Sequence, residues 1–240
     1  MSHNYDDLVL GTTGGTNKGC TDYWRLDQDT SASNNAGIAN LAKPDASDAS
    51  GYSATDLLPA ANNYGSSSFD GSSNYVTMTY GQLTQGLDFP TSPHSFSVEC
   101  WMRPEADQSA TDVIGLAQKA GCFGIYLAYG KPTFFTQLSG SGRVNCGDSS
   151  AVSTSTNYHL VGTFNAASQD LKLYVNGSLV NTVNTGGSTN ADACDHTGIN
   201  FTIGSWDTSV LFFHGEMSNV ALYNFVLSSG QVSAHYGYSG

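Results

Sequence analysis

The side chains that could do chemistry here are few, and hydrolysis is the first chemistry they suggest. Retaining glycoside hydrolysis needs two carboxyls about 5 Å apart. The 240-residue chain contains three glutamates, Glu99, Glu105 and Glu216, and no E-x-D-x-x-E run. Glu99 does share a strand face with Trp101, which reads as a solvated carboxylate beside an indole. No G-x-S-x-G elbow and no H-E-x-x-H helix occurs. The glycine-rich run Gly11 to Lys18 has the wrong spacing for a phosphate loop and no apolar strand before it. The chain is expected not to be an enzyme.

Binding chemistry is better supplied. Sugar recognition uses exposed aromatic rings beside amide or carboxylate groups. Trp206 with Asp207 and Trp101 with Glu99 are the leading candidates, followed by Tyr126, Tyr129 and Tyr158. Trp206 follows the Gly204 turn and reads as loop-borne. The run Ala191 to His196, with two aspartates and a Cys-x-His, reads as a polar loop.

Composition excludes other partners. The formal net charge is −12, from 8 basic and 20 acidic residues, and only 12% of residues are charged where about 25% is usual. So few cations cannot replace the counterions of a nucleic acid, and they give an anionic membrane nothing to hold. No apolar run approaches the 18 or so residues of a spanning helix, and the first thirty residues carry no basic stretch followed by an apolar core. The chain is expected to be soluble and without a signal peptide. Cys20, Cys100, Cys122, Cys146 and Cys194 make an odd number in no metal-like spacing. Buried reduced thiols are expected, the alternative being a Cys122–Cys146 pair across a hairpin.

The elements that must position these residues are strands. In Asp170 to Val183, Leu171, Leu173 and Val175 alternate with polar residues. Asn176-Gly177 then supplies two residues that accept φ > 0, so a type I′ hairpin is predicted. Its register pairs Val175 with Ser178, Tyr174 with Leu179, Leu173 with Val180 and Leu171 with Thr182. Both faces are half apolar, which predicts a place inside a larger sheet. Phe96, Val98, Cys100 and Met102 alternate with Ser97, Glu99 and Trp101, and the first set should face between two sheets. Further strands are predicted at 75–80, 113–118, 122–129 and 132–138, with turns about every ten residues. Ser228 caps a helical turn or two. Residues 28–63 form a long polar tract, and 1–20 a glycine-rich arm with one short strand at Leu8-Val-Leu10.

Five segments in order resemble a known family. Tyr158-His-Leu-Val-Gly-Thr-Phe164 with Leu171-Lys-Leu-Tyr-Val-Asn-Gly177, Ser95 to Pro104, Ser67 to Met78, Phe201-Thr-Ile-Gly-Ser205 and Gly215 to Ser228 are similar to the motifs of laminin-G-like, concanavalin-A-like jelly rolls. Asp22-Tyr-Trp-Arg-Leu-Asp27 resembles the opening strand of such modules in bacteriophage virion proteins. The resemblance implies an all-β fold, an antiparallel two-sheet β-sandwich with an N-terminal arm (1–20) and the sandwich over 21–240. At its motif positions Trp24 and Trp101 are expected mostly to pack.

Calcium is the inorganic partner the resemblance implies. Asp48, in Asp48-Ala-Ser-Gly51, and Asp70 match its ligand positions, while Ser218 and Asn219 stand where the family has carboxylates. The leading expectation is a non-enzymatic virion structural protein, a capsid decoration or surface-binding subunit on the virion surface. Tyr5, Leu8, Val9 and Leu10 of the arm would attach it to capsid or tail subunits, with a host-surface glycan and homo-oligomerisation as further options. No nucleic acid or membrane partner is expected. The alternative is a soluble carbohydrate-binding lectin, and the third reading a glycoside hydrolase.

Overall fold

The computed structural model describes residues 5–11, 19–24, 26, 52–53, 57–58, 65–78, 94–109, 113–138, 142–186, 199–207 and 209–238. In chain order the elements are α1 (Tyr5–Val9), β1 (Asp22–Trp24), β2 (Tyr52–Ser53), β3 (Ser66–Asp70), β4 (Val76–Met78) and β5 (Phe96–Pro104). There follow β6 (Ile114–Lys119), β7 (Phe123–Ala128), β8 (Lys131–Leu138), β9 (Gly142–Gly147), β10 (Tyr158–Asn165), β11 (Asp170–Val175) and β12 (Ser178–Asn184). β13 (Phe201–Ile203), β14 (His214–Tyr223) and α2 (Ser229–Tyr236) complete the set.

The strands make two antiparallel sheets. Sheet A runs β12-β11-β10-β5-β14-β3-β2, with β1 also paired to β14, and sheet B runs β4-β13-β6-β7-β8-β9. The all-β two-sheet sandwich is therefore as expected. Alternation along β5 places Phe96, Val98, Cys100 and Met102 in the core between the sheets, with Leu160, Phe164, Leu171 and Leu173 from sheet A and Phe123, Ile125 and Phe134 from sheet B. Phe96 sits at the centre, its ring centroid 5.0 Å from Phe123, 5.8 Å from Phe134 and 5.9 Å from Phe164. Trp24 stacks on Phe201 in the same core, and Cys100, Cys122 and Cys146 are buried free thiols.

Three expectations need correction. The Asn176-Gly177 turn forms with both residues at positive φ, and Val175 faces Ser178 and Tyr174 faces Leu179. A bulge then shifts the register, so Leu173 faces Asn181 and Leu171 faces Val183. The extra residue lets the edge strand twist. The hairpin also ends the sheet instead of lying inside it: β12 is an edge strand, with Leu179 51% exposed. Finally, Leu8-Val-Leu10 is no strand. Tyr5 and Val9, four apart, form the buried face of the helical turn α1, the spacing a helix aligns. The Ser228 cap is found as expected, with a reciprocal capping box to Gln231.

Close approach of the sheets depends on Gly162 of β10. A β-carbon there would lie 2.1 Å from the Phe134 ring. Gly162→Ala is expected to lower stability by about 1–3 kcal/mol through overpacking, read as a fall in the denaturation midpoint; an unchanged midpoint would show that the sheets can part without cost.

Candidate functional site

Each sheet has an outer face that could meet a ligand, and the two are built differently. On sheet A, Glu99, Trp101, His159, Val161, Tyr174 and Tyr223 point away from the inter-sheet core. They are covered by a second apolar layer that includes Tyr5 and Val9 of α1, Val232 of α2, and Leu57, Leu58 and Leu227 from the segments between elements. Glu99 lies at the centre of this layer and is fully buried. Its Oε1 accepts from the Tyr5 hydroxyl at 2.8 Å and from His159 Nε2 at 2.6 Å. Its Oε2 accepts from the Tyr223 hydroxyl at 2.5 Å and from His235 Nδ1 at 3.0 Å. Trp101 Nε1–H in turn donates to the Tyr5 hydroxyl at 2.8 Å. A carboxylate has about four lone-pair sites, and all of them are used here by the protein itself.

The electrostatics agree with an ionised Glu99. Burial raises its pKa, but the His235 charge and the hydrogen bonds of His159 and His235 outweigh that and hold it well below the usual carboxylate range. Burial lowers the pKa of His235, and the Glu99 charge and hydrogen bond more than reverse this, so it lies above the ordinary histidine value.

This arrangement corrects the expectations for four residues. Glu99 and Trp101 are not a solvated pair, because both are buried beneath α1 and α2. Tyr5 and Val9 do not reach out to another subunit. They are spent on the chain's own sheet, with Leu8 and Leu10 half-buried beside them. The apolar and polar partners an arm would have sought elsewhere are already supplied by Glu99, Trp101 and Tyr223.

The metal candidates fare differently. Asp70 is exposed, and its carboxylate is occupied by its own turn: Oδ1 accepts from the amides of Ser72, Ser73 and Asn74, and Oδ2 from the Ser72 and Ser73 hydroxyls. Desolvation raises its pKa, and the hydrogen bonds from Ser73, Ser72 and Asn74 together outweigh it and pull the carboxyl far below the usual range. Asp48 lies outside the described residues. Among the described residues, no three His, Cys, Asp or Glu side chains are grouped to hold a metal.

Of the remaining sugar candidates, Tyr158 lies in β10 of sheet A, half-buried against the inter-sheet core with its hydroxyl accepting from the Ser153 amide at 2.8 Å, whereas Trp206 and Tyr126 meet on the outer face of sheet B. After β13 the segment Gly204 to Trp206 folds back over β6, where Gln118 Nε2 donates to the carbonyls of Trp206 at 2.6 Å and Ser205 at 3.3 Å. Gly115 makes room for this, since a β-carbon there would lie 2.1 Å from the Ser205 carbonyl oxygen. Trp206 thus reaches across to β7 and β8. Its ring stacks on Phe135 with centroids 5.6 Å apart and stands edge-on to Tyr126, also at 5.6 Å. Arg143 of β9 lies over all three rings, 4.2 Å from Phe135, 4.6 Å from Tyr126 and 4.7 Å from Trp206. Its Nε–H donates to Oδ1 of the exposed Asn145 at 2.9 Å, which also accepts from the Tyr126 hydroxyl at 3.3 Å. Trp206 is half-buried, Tyr126 and Phe135 nearly fully buried. Asp207 is turned into its own loop, accepting from Ser209 and Val210.

The face therefore offers a half-buried indole on an aromatic bed, a guanidinium held over the rings by cation–π attraction and an exposed asparagine. Such a set can stack on the apolar face of a sugar ring and hydrogen-bond its hydroxyls. Sequence reasoning found Trp206 and Tyr126 but missed Phe135, Arg143 and Asn145. Strand β9, Gly-Arg-Val-Asn-Cys-Gly, has too little apolar alternation to be read, although Arg143 and Asn145 sit two apart as one strand face requires.

Residues 59–233 match the family described as the concanavalin A-like lectin/glucanases superfamily, Laminin_G_3. Among solved structures, domain 4 of AbnA, a GH43 extracellular arabinanase of Geobacillus stearothermophilus in complex with arabinotriose, is 17% identical with a TM-score of 0.54, over 77% of this chain and 80% of that one. The CBM40 of the Ruminococcus gnavus IT-sialidase, bound to α2,3-sialyllactose, is 18% identical at 0.50, over 61% and 84%. A putative carbohydrate binding protein of Bacteroides ovatus is 18% identical at 0.52, over 70% and 45%. At these identities the likeness is one of fold. No curated protein matches the chain.

The Glu99 cluster makes a pH prediction. The raised His235 pKa contributes stability that is fully present below the unfolded histidine value of about 6.5 and is lost as pH rises through the higher folded value. The wild-type denaturation midpoint should therefore fall on going from pH 6 into the alkaline range, and His235→Gln should flatten that slope. Glu99→Gln should cost about 3 kcal/mol, since it leaves buried partners of a lost charge. A wild-type midpoint that rises over the same range would contradict the assignment.

Proposed function

Because the chain belongs to the concanavalin A-like lectin/glucanases superfamily, we propose that it is a carbohydrate-binding module without catalytic activity, taking its ligand on the outer face of sheet B. The observation that carries the reading is the Trp206–Arg143–Asn145 cluster. Of the two outer faces, it is the one that combines a half-open aromatic ring with a guanidinium and an exposed amide. Sheet A has a comparable set in Glu99 and Trp101, but α1 and α2 close it. Glu99, the one glutamate on a strand face with a tryptophan, is saturated by four partners and has no position from which to attack or protonate a glycosidic bond. Glu216 is paired with Arg103 at 3.1 Å.

Fold neighbours that bind arabinotriose and sialyllactose give the first probes to try. The virion-subunit reading lacks comparable support, since the arm residues meant to attach it are used within the chain.

The test is isothermal titration of the purified chain against arabinose, arabinotriose, lactose and sialyllactose. Trp206→Ala is expected to weaken whichever of these binds by about 2 kcal/mol, roughly thirtyfold in Kd, with the far-UV spectrum and melting curve preserved. A folded Trp206→Ala variant with wild-type affinity would place the site elsewhere.

A further inference from the structure

The hairpin between β7 and β8 turns on Tyr129-Gly130, with φ of 50° and 74°. Among the described residues Asn176-Gly177 makes a second such turn, with φ of 50° and 75°. The two backbones are alike, yet the residue at the first position differs. Left-handed φ at that position suits Asn, Asp or Gly, and for a bulky side chain it is an outlier that costs backbone strain. Asn176 follows the rule and uses its side chain, whose Oδ1 accepts from the His159 amide.

Tyr129 breaks the rule. It is 61% exposed, the most open large hydrophobic side chain among the described residues. Among those residues no hydrogen bond or ring contact holds it. The backbone beneath it is fixed all the same. Gly130 accepts from the Val152 amide at 2.9 Å, and a β-carbon on Gly130 would touch Ser109 at 3.4 Å and Ala151 at 3.5 Å. The turn is wedged between two loops and presents a free ring from a rigid base. Strain kept without a structural return marks positions held for binding.

The position of this ring relates it to the cluster already described. Tyr126 and Tyr129 lie on the same hairpin, three residues and so about 10 Å apart along the strand. Between them the outer face carries Ala128 with the exposed Lys131 opposite it, while Thr133 and Gly147 lie level with Tyr126 across β8 and β9. A monosaccharide cannot reach from one ring to the other, whereas a short oligosaccharide can.

We infer that Tyr129 is a second sugar-contacting ring, and that the ligand of sheet B is an oligosaccharide lying along the β7–β8 hairpin from Trp206 to the turn. This rests on the carbohydrate reading above. The test compares the wild-type chain with Tyr129→Asn, Tyr129→Phe and Trp206→Ala, by thermal melting and by titration with arabinose, arabinotriose, lactose and sialyllactose. Tyr129→Asn should melt about 1–3 °C higher, because Asn relieves the strained turn. It should also bind the trisaccharide at least roughly tenfold more weakly, while the smaller sugar of the same pair changes little. Tyr129→Phe keeps the ring and should keep trisaccharide affinity.

Trisaccharide affinity unchanged in Tyr129→Asn, with binding lost in Trp206→Ala, overturns the second ring and leaves the carbohydrate reading standing. A lower melting point for Tyr129→Asn overturns it separately, by showing that the ring serves the fold. Wild-type binding to none of the four sugars defeats the carbohydrate reading itself, and with it this inference.

Discussion

The arrangement of the molecule depends on the buried carboxylate of Glu99. A charge placed in an apolar layer is tolerated only when its hydrogen-bonding capacity is met in full, and meeting it draws on distant parts of the chain. Tyr5 comes from α1, His159 from β10, Tyr223 from β14 and His235 from α2. One side chain thereby ties both helices to the centre of sheet A. α1 has a single helical turn of its own, too short to persist in water without tertiary support, so its place is set by Tyr5 and Val9. The cost of the buried charge and the closure of this face are one physical fact.

Closure of sheet A decides where a ligand can go. The indole and carboxylate that would suit a sugar are there, but they face the protein's own phenols and imidazoles. Sheet B is left uncovered by helices among the described residues, and its outer face has been given chemistry in compensation. Small residues make this possible: Gly115 admits the Ser205–Trp206 segment, and Gly124 accommodates the Gln118 side chain that anchors it. Arg143, lying over three rings, orders the aromatic bed before any ligand arrives, so less conformational freedom is lost on binding.

Much of the fold was legible because it depends on local periodicity. The alternation from Phe96 to Met102, the Asn176-Gly177 turn and the Ser228 cap each encode their structure within a few residues. The failures have equally definite causes. Leu8-Val-Leu10 looked like a strand since the helical pair is Tyr5 with Val9, one turn longer than the apolar run. The bulge opposite Leu173 and Tyr174 left no mark in the mixed sequence of β12. Glu99 was read as solvated because its partners lie 60 to 136 residues away, and no local pattern records them. Trp206 could be singled out as loop-borne, yet the Arg143 that completes its surroundings sits on a strand without apolar alternation.

The chain contains three tryptophans, one in each environment that matters: Trp24 between the sheets, Trp101 under the helices and Trp206 on the outer face of sheet B. Their indole N–H resonances can be followed while arabinotriose or sialyllactose is titrated into isotopically labelled protein. The account predicts that the Trp206 indole signal moves with saturation while those of Trp24 and Trp101 stay in place. Movement of the Trp101 signal instead would mean that the helices open and that the ligand enters sheet A, which would contradict the central claim.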